Sequence, residues 1–247
     1  MDSTFFLLFF IGLFSSFLGT LAGGGGIITL PAMMLVGIPI QVGIATNKFS
    51  SGIASFTSIL YLIKNKLFSI RVMIQVIIIA FFGGTVGAIL TSSVSEQTMN
   101  IVALILLVFA LLITLKNKQL MNTVTNTNQV SSSWSRVAPF MIAVYDGGFG
   151  PGSSTFAIIH YLREKFAYVE SAQLARVLNF GSCVGAFIIF YQTGYVQWEY
   201  AIALAIGSAI GTQIGLRALP RIPLKVARTL LLTIICLLIG QVVYKTF

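Results

Sequence analysis

From Val72 to Leu90, from Ile101 to Leu115 and from Leu230 to Val243 the chain carries no charged residue. Such runs approach the roughly 20 apolar residues that cross a ~30 Å hydrocarbon core, where every backbone N–H and C=O must be bonded within the protein. Only helices and closed barrels meet that demand, and barrel strands alternate apolar with polar residues. These runs do not alternate, so they predict helices and an all-α polytopic membrane protein. With 57% hydrophobic and 9% charged residues among 247, the chain has too little polar side chain to coat a globular domain. No basic residue precedes the first apolar run, so residues 4 to 21 read as a retained helix rather than a cleaved signal.

The net charge of +9 would admit a nucleic-acid partner if it were spread over one face. Instead, twelve of the fifteen basic residues fall in four loop patches: Lys64, Lys66, Arg71; Lys116, Lys118, Arg136; Arg163, Lys165; and Arg217, Arg221, Lys225, Arg228. That pattern marks cytoplasmic loops, with membrane lipids as the partner and no nucleic acid. Cys183 and Cys236 lie in apolar segments without metal or redox spacing, so packing is their expected role, and no metal or cofactor is expected.

The hydropathy pattern divides into ten helical segments, at about 4 to 21, 27 to 40, 46 to 63, 71 to 91, 99 to 115, 135 to 147, 153 to 162, 171 to 192, 198 to 217 and 225 to 244. Residues 117–134 are polar and aperiodic, a cytoplasmic linker between two transmembrane repeats, 1–116 and 135–247. The repeats correspond in order: LAGGGGIITL with GFGPGSSTFA, TNKFSSG with LNFGSCV (pairing Asn47 with Asn179), and FGGTVGAI with IGSAIGTQI. If every segment crosses, all basic patches fall on one side and the repeats, of five segments each, have inverted topology.

Segments 27 to 40 and 153 to 162 are too short for ordinary spans, about 21 Å and 15 Å at 1.5 Å per residue. Each begins near the midplane, directly after a glycine motif. Gly23, Gly24, Gly25 and Gly26, and Gly150 and Gly152 with their neighbours, permit the break, let backbone approach a ligand, and aim a positive helix end at a central site. Close helix packing is the competing role; it is the expected one for Gly83 and Gly87 and for Gly207, Gly211 and Gly215.

The stretches LAGGGGIITLPAMMLVGIPIQVGIATNKFSS, YDGGFGPGSSTF and AQLARVLNFGS together resemble the TauE/SafE (sulfite exporter) family, in its YfcA-like branch. The resemblance covers nearly the whole chain. It implies movement of small anions, with sulfite and organosulfonates as the substrate class.

Lys48, Arg176, Asp146 and His160 are the ionisable residues left near the motifs. A charge at the bilayer centre costs roughly 2.5 to 3.5 kcal/mol, so each must be hydrated, paired or close to an interface. Lys48 and Arg176 either snorkel to opposite interfaces or attract the anion, with Asn47 and Asn179 donating from equivalent positions. Thr46, Ser50, Ser51, Ser153 and Ser154 supply candidate hydroxyls. Asp146 is the proton-coupling candidate or a brace for the broken backbone, and His160 is expected near the cytoplasmic surface. On this reading Lys48→Ala, Asn47→Ala and Asn179→Ala reduce transport with detergent stability nearly unchanged.

The expected function is a secondary transporter, an exporter of a small anion in the cell (inner) membrane, working by alternating access. A passive anion channel on the same scaffold is the alternative. An enzyme is not expected, because the chain lacks a His/Glu metal motif, a Gly-x-Ser-x-Gly motif and paired intramembrane aspartates. A homodimer through a lipid-facing helix is compatible with the pattern, which does not select one.

Overall fold

The computed structural model describes residues 3–23, 25–95, 97–99 and 134–221, together with isolated positions between 101 and 112 and between 226 and 233. The described residues form helices joined by short turns, with no strand among them. In chain order the helices are α1 (Ser3–Ala22), α2 (Gly25–Leu35), α3 (Ile40–Lys64), α4 (Ile70–Ser92), α5 (Trp134–Gly148), α6 (Ser153–Arg163), α7 (Tyr168–Gln192) and α8 (Trp198–Ala218). Four of them, α1, α4, α7 and α8, are long and apolar enough to cross a membrane. The segments expected at 99 to 115 and 225 to 244, and the linker at 117–134, lie largely outside the described residues.

Large apolar side chains face outward, among them Phe14, Phe82 and Leu90 at 59%, 59% and 63% exposure, while Lys48, Asp146, Thr46 and Ser55 are buried. A water-soluble fold would reverse this distribution, and lipid favours it. The protein is therefore a polytopic helical membrane protein.

One boundary differs from expectation. The second and third segments were expected at 27 to 40 and 46 to 63, whereas α2 stops at Leu35 and α3 begins at Ile40. Gly37 takes a left-handed φ of 90°, which ends α2. Pro39, with φ −55° and ψ 145°, then occupies the cap position ahead of α3, where its missing N–H costs nothing. The sequence QVGIAT resembles a connector, yet its Gly43 lies inside α3, where a Cβ would sit 3.1 Å from Leu30 Cδ1.

Contacts fix the helix directions. α1 meets α8 through Gly12 with Ser208, Leu13 with Gly211 and Phe17 with Gly215, so residue numbers rise together and the two run parallel. α3 and α8 are likewise parallel, by hydrogen bonds from Ser50 to Ser208 and from Gln213 to Thr57. α4 runs parallel to α5 (Gly83 with Phe140, Gly87 with Val144) and to α7 (Ile77 with Gly181, Phe81 with Gly185). The ring pairs Phe49–Phe187 and Phe56–Phe180 make α3 and α7 antiparallel. Hence α1, α3 and α8 point one way, and α4, α5 and α7 the other. These directions bring Lys64, Lys66, Arg71, Arg163, Lys165, Arg217 and Arg221 to one end of the bundle, the basic end, and Glu199 to the opposite end.

The glycines on α4 and α8 serve close packing, as expected, and so do Gly181 and Gly185 on α7. A Cβ on Gly87 would fall 1.9 Å from Val144 O, and one on Gly211 2.1 Å from Leu13 O. α1 therefore packs on α8 and α5 on α4, so the opening helix of each half lies against the fourth helix of the other.

Candidate functional site

The two glycine breaks lie against each other. Gly26 approaches Pro151 and Gly150, and Thr155 Oγ1 donates to Gly23 O at 3.2 Å. Gly23, Gly150 and Gly152 have φ of 82°, 103° and 84°, conformations that L side chains rarely adopt. α2 and α6, of 11 residues each, are about 16 Å long and start at these breaks. Both N-termini, with their unpaired N–H groups, thus meet inside the bundle.

Around them is a small cavity lined by Ser16, Gly23, Gly25, Gly26, Thr29, Asn47, Lys48, Ser51, Asp146, Gly150, Gly152, Ser153, Ser154, Arg176 and Asn179. Among the described residues no apolar side chain lines it. About 20 Å³ is open to the centre of a water-sized sphere, where one water needs about 10–15 Å³. Of the residues singled out in the sequence, Gly23, Gly25, Gly26, Asn47, Lys48, Gly150, Gly152, Ser153, Arg176, Asn179 and Asp146 meet here. Gly24 lies outside the described residues. Thr46 does not reach the cavity: it is fully buried on α3, and its hydroxyl has no partner among the described residues. His160 is half-buried on α6, away from the cavity.

Lys48 and Arg176 do not snorkel. Lys48 is 1% exposed, and its ammonium pairs with Asp146 Oδ1 at 3.3 Å while also donating to the Asp146 main-chain oxygen. Ser153 donates to Oδ1 at 2.6 Å, and Asn179 Nδ2 to Oδ2 at 3.1 Å. Ser182 donates to Oδ2 as well, with Cys183 Sγ at 3.9 Å. Asp146 thus ties α3, α5, α6 and α7 together. The expectation that Lys48→Ala and Asn179→Ala leave stability nearly unchanged is corrected: each removes a donor from a buried carboxylate, which is costly. Asn47 differs from its counterpart. Asn179 is held on both sides, by Asp146 and by Ser55 Oγ at 2.7 Å, whereas the Asn47 amide receives one bond, from Ser51 at 3.3 Å.

Arg176 has the opposite character. It is 7% exposed, and its Nη2 donates to Thr20 Oγ1 at 2.6 Å and Ser16 O at 3.4 Å. Lys48–Asp146 is the one ion pair among the described residues, so Arg176 makes none there. With Lys48 and Arg176 positive and Asp146 negative, the charged lining sums to one positive charge.

The sequence reading missed Ser16 and Thr29 in the lining, and Thr20, Ser55 and Ser182 behind it. The available signal was a hydroxyl inside an apolar helix: Ser16 and Thr20 lie one or two turns before the glycine run, and Ser182 three residues after Asn179.

Gly150→Ala is expected to weaken the site in two ways. It forces a side chain into φ 103°, and its Cβ would stand 2.8 Å from Lys48 Nζ. Strain of this kind costs about 1–3 kcal/mol, so thermal unfolding in detergent should shift downward; an unchanged melting temperature would contradict the geometry.

The family model described as Sulfite exporter TauE/SafE matches residues 8–242. The chain belongs to the TauE/SafE family. The chain is 31% identical over 229 residues to "Probable membrane transporter protein ORF9" of Sinorhizobium sp, covering 87% of this chain and 84% of the relative. It is 25% identical over 241 residues to "Probable membrane transporter protein YfcA" of Escherichia coli (strain K12), covering 97% and 90%. A "Probable membrane transporter protein" of Haemophilus influenzae is 26% identical over 210 residues, covering 85% and 82%. No solved structure matches the chain. This TauE/SafE protein is accordingly a multi-pass membrane transporter.

Proposed function

We propose that this transporter is a secondary exporter of a small anion in the cell (inner) membrane, alternating access to the central cavity between two inverted repeats. The observation that carries the reading is Arg176, a buried guanidinium with no ion-pair partner among the described residues, facing a cavity onto which two helix N-termini converge. A buried charge needs a counter-charge, and an anion with two accepting oxygens suits both the guanidinium fork and the free N–H groups. Sulfite, the substrate in the family's name, meets that description. The wholly polar lining favours it over an organosulfonate with an apolar body. The opposed directions of α3 and α7, whose Asn47 and Asn179 correspond in sequence, support the inverted arrangement. Asp146 is the proposed proton carrier, since a proton arriving on its carboxylate would displace a donor and loosen the four helices it joins.

Uptake of labelled sulfite, small sulfonates and carboxylates by reconstituted liposomes, with and without a pH gradient, tests the proposal. Accumulation that follows the gradient is expected. Equilibration insensitive to the gradient would instead mean a channel, and absence of flux for the whole panel would overturn the anion reading.

A further inference from the structure

The hairpin of α6 and α7 holds polar groups that the central site does not use. Tyr161 Oη, Ser171 Oγ and His160 Nε2 are buried and bond nothing among the described residues. Tyr161 is 6% exposed, Ser171 0% and Gln173 6%. The turn from Glu164 to Ala167, closed by Phe166 N–H donating to Tyr161 O at 3.1 Å, sets Tyr161 and Ser171 level with each other across the hairpin. Two helical turns deeper, Ser154 on α6 and Asn179 on α7 line the cavity. Toward the basic end stand the exposed Arg163 and Lys165. The hairpin seam between the cavity and the basic end therefore holds unpartnered polar groups, set among Ile158, Ile159, Leu162 and Leu174 of the core.

The equivalent positions at the opposite end, Gln41 apart, differ in residue type. Aligning Gly23 with Gly150 and Asn47 with Asn179 matches Tyr161 with Met34, Ser171 with Pro39 and Gln173 with Gln41. The Gln41 amide is satisfied, donating to Val94 O at 2.8 Å. Leu8, Met33, Ile38 and Leu204 fill the space beside it as an apolar cluster. Each buried unpaired polar group costs about 1–3 kcal/mol, and among the described residues this hairpin carries that cost at Tyr161, Ser171 and His160.

We propose that Tyr161, Ser171 and Gln173 form a second, transient station for the anion, on the route between the central cavity and the basic end. The station rests on the anion-transporter reading above. Its donors replace part of the anion's water as it passes; without them the anion crosses the seam stripped of partners. The station governs rate, and the central cavity governs equilibrium affinity.

Two measurements test this. Ser171→Cys, nearly isosteric, is placed in a Cys183→Ala/Cys236→Ala chain and treated with a membrane-impermeant anionic thiosulfonate in vesicles of each orientation. Labelling about tenfold faster from the basic end is expected; no labelling, or equal or faster labelling from the opposite end, overturns the station whatever the cargo is. In liposomes that transport sulfite, Tyr161→Phe/Ser171→Ala is expected to lower saturating flux about tenfold, a barrier change of about 1.4 kcal/mol, with sulfite affinity at equilibrium unchanged. Unchanged flux, or an affinity loss that accounts for the slower flux, overturns it. Wild-type protein that moves no anion instead refutes the transporter reading, and the labelling result still decides whether the seam is open.

Discussion

Arg176→Met is expected to abolish anion transport while raising the melting temperature in detergent. The two effects share one cause. Arg176 is buried, bonds Thr20 and Ser16 through Nη2, and makes no ion pair among the described residues; Asp146 across the same cavity is already paired with Lys48, so the desolvation of the guanidinium is only partly offset. Replacing buried ionic groups by apolar residues of similar volume is often neutral or stabilising by about 1–4 kcal/mol, and Met follows the same path as the arginine stem. For the anion the sign is opposite. Two charge-assisted hydrogen bonds, each about 1.5–3 kcal/mol, disappear with the guanidinium, which corresponds to a loss of affinity of at least about a hundredfold. Arg176→Lys should fall between, keeping the charge but losing the planar fork. Sulfite flux in liposomes and thermal unfolding of the same preparations check both halves. Full transport by Arg176→Met would remove the cavity's claim to the substrate, and a lower melting temperature would show that the guanidinium holds the fold together.

Lys48 and Asp146 should behave in the reverse manner. Both are buried, at 1% and 2% exposure, and paired at 3.3 Å, so Asp146→Asn or Lys48→Met leaves one charge stranded. Breaking one partner of such a pair typically costs about 3–5 kcal/mol. Asp146→Asn should be the harsher change, because it also disturbs the bonds from Ser153, Asn179 and Ser182. The double variant Lys48→Met/Asp146→Asn is expected to regain part of that stability, giving a coupling of about 1–3 kcal/mol in the mutant cycle. Chemical denaturation in detergent micelles measures all three. Single variants as stable as the wild type would mean that the pair does not hold the helices together.

Much of this site was legible in the sequence because hydrocarbon leaves so few options. Glycine runs inside apolar segments must break helices, broken backbone must find partners, and charges in the same segments must meet something. That reasoning brought Gly23, Gly150, Asn47, Lys48, Asp146, Arg176 and Asn179 into one list before any coordinates. It did not say which charge meets which. Lys48 and Asp146 are 98 positions apart, and helical periodicity shows a helix's buried face without naming the neighbour. The equivalence of Asn47 and Asn179 also misled: the two match in the repeat, but Asn179 is committed to Asp146 and Ser55 while Asn47 keeps its N–H groups free of protein partners among the described residues. The start of α3 was missed because Gly43 and Gln41 look like loop residues; it takes the packed Leu30 and the cap at Pro39 to make them helical.

The exchange of helices between the halves bears on how they move past one another. α1 and α3 pack on α8, and α5 and α7 on α4, so neither packed group is a continuous half of the chain, and α3 also meets α7 between the groups. The described polypeptide passes between them at the turns after Lys64 and after Gln192, where Lys66 and Gly194 hold left-handed φ of 51° and 76°. In the alternating-access cycle proposed above, those two turns serve as the hinges. The stretch between Ser92 and Trp134, by contrast, leaves and returns to the same group. Severing it, with the two fragments expressed together, should leave the machine intact, whereas stiffening either hinge should stall it.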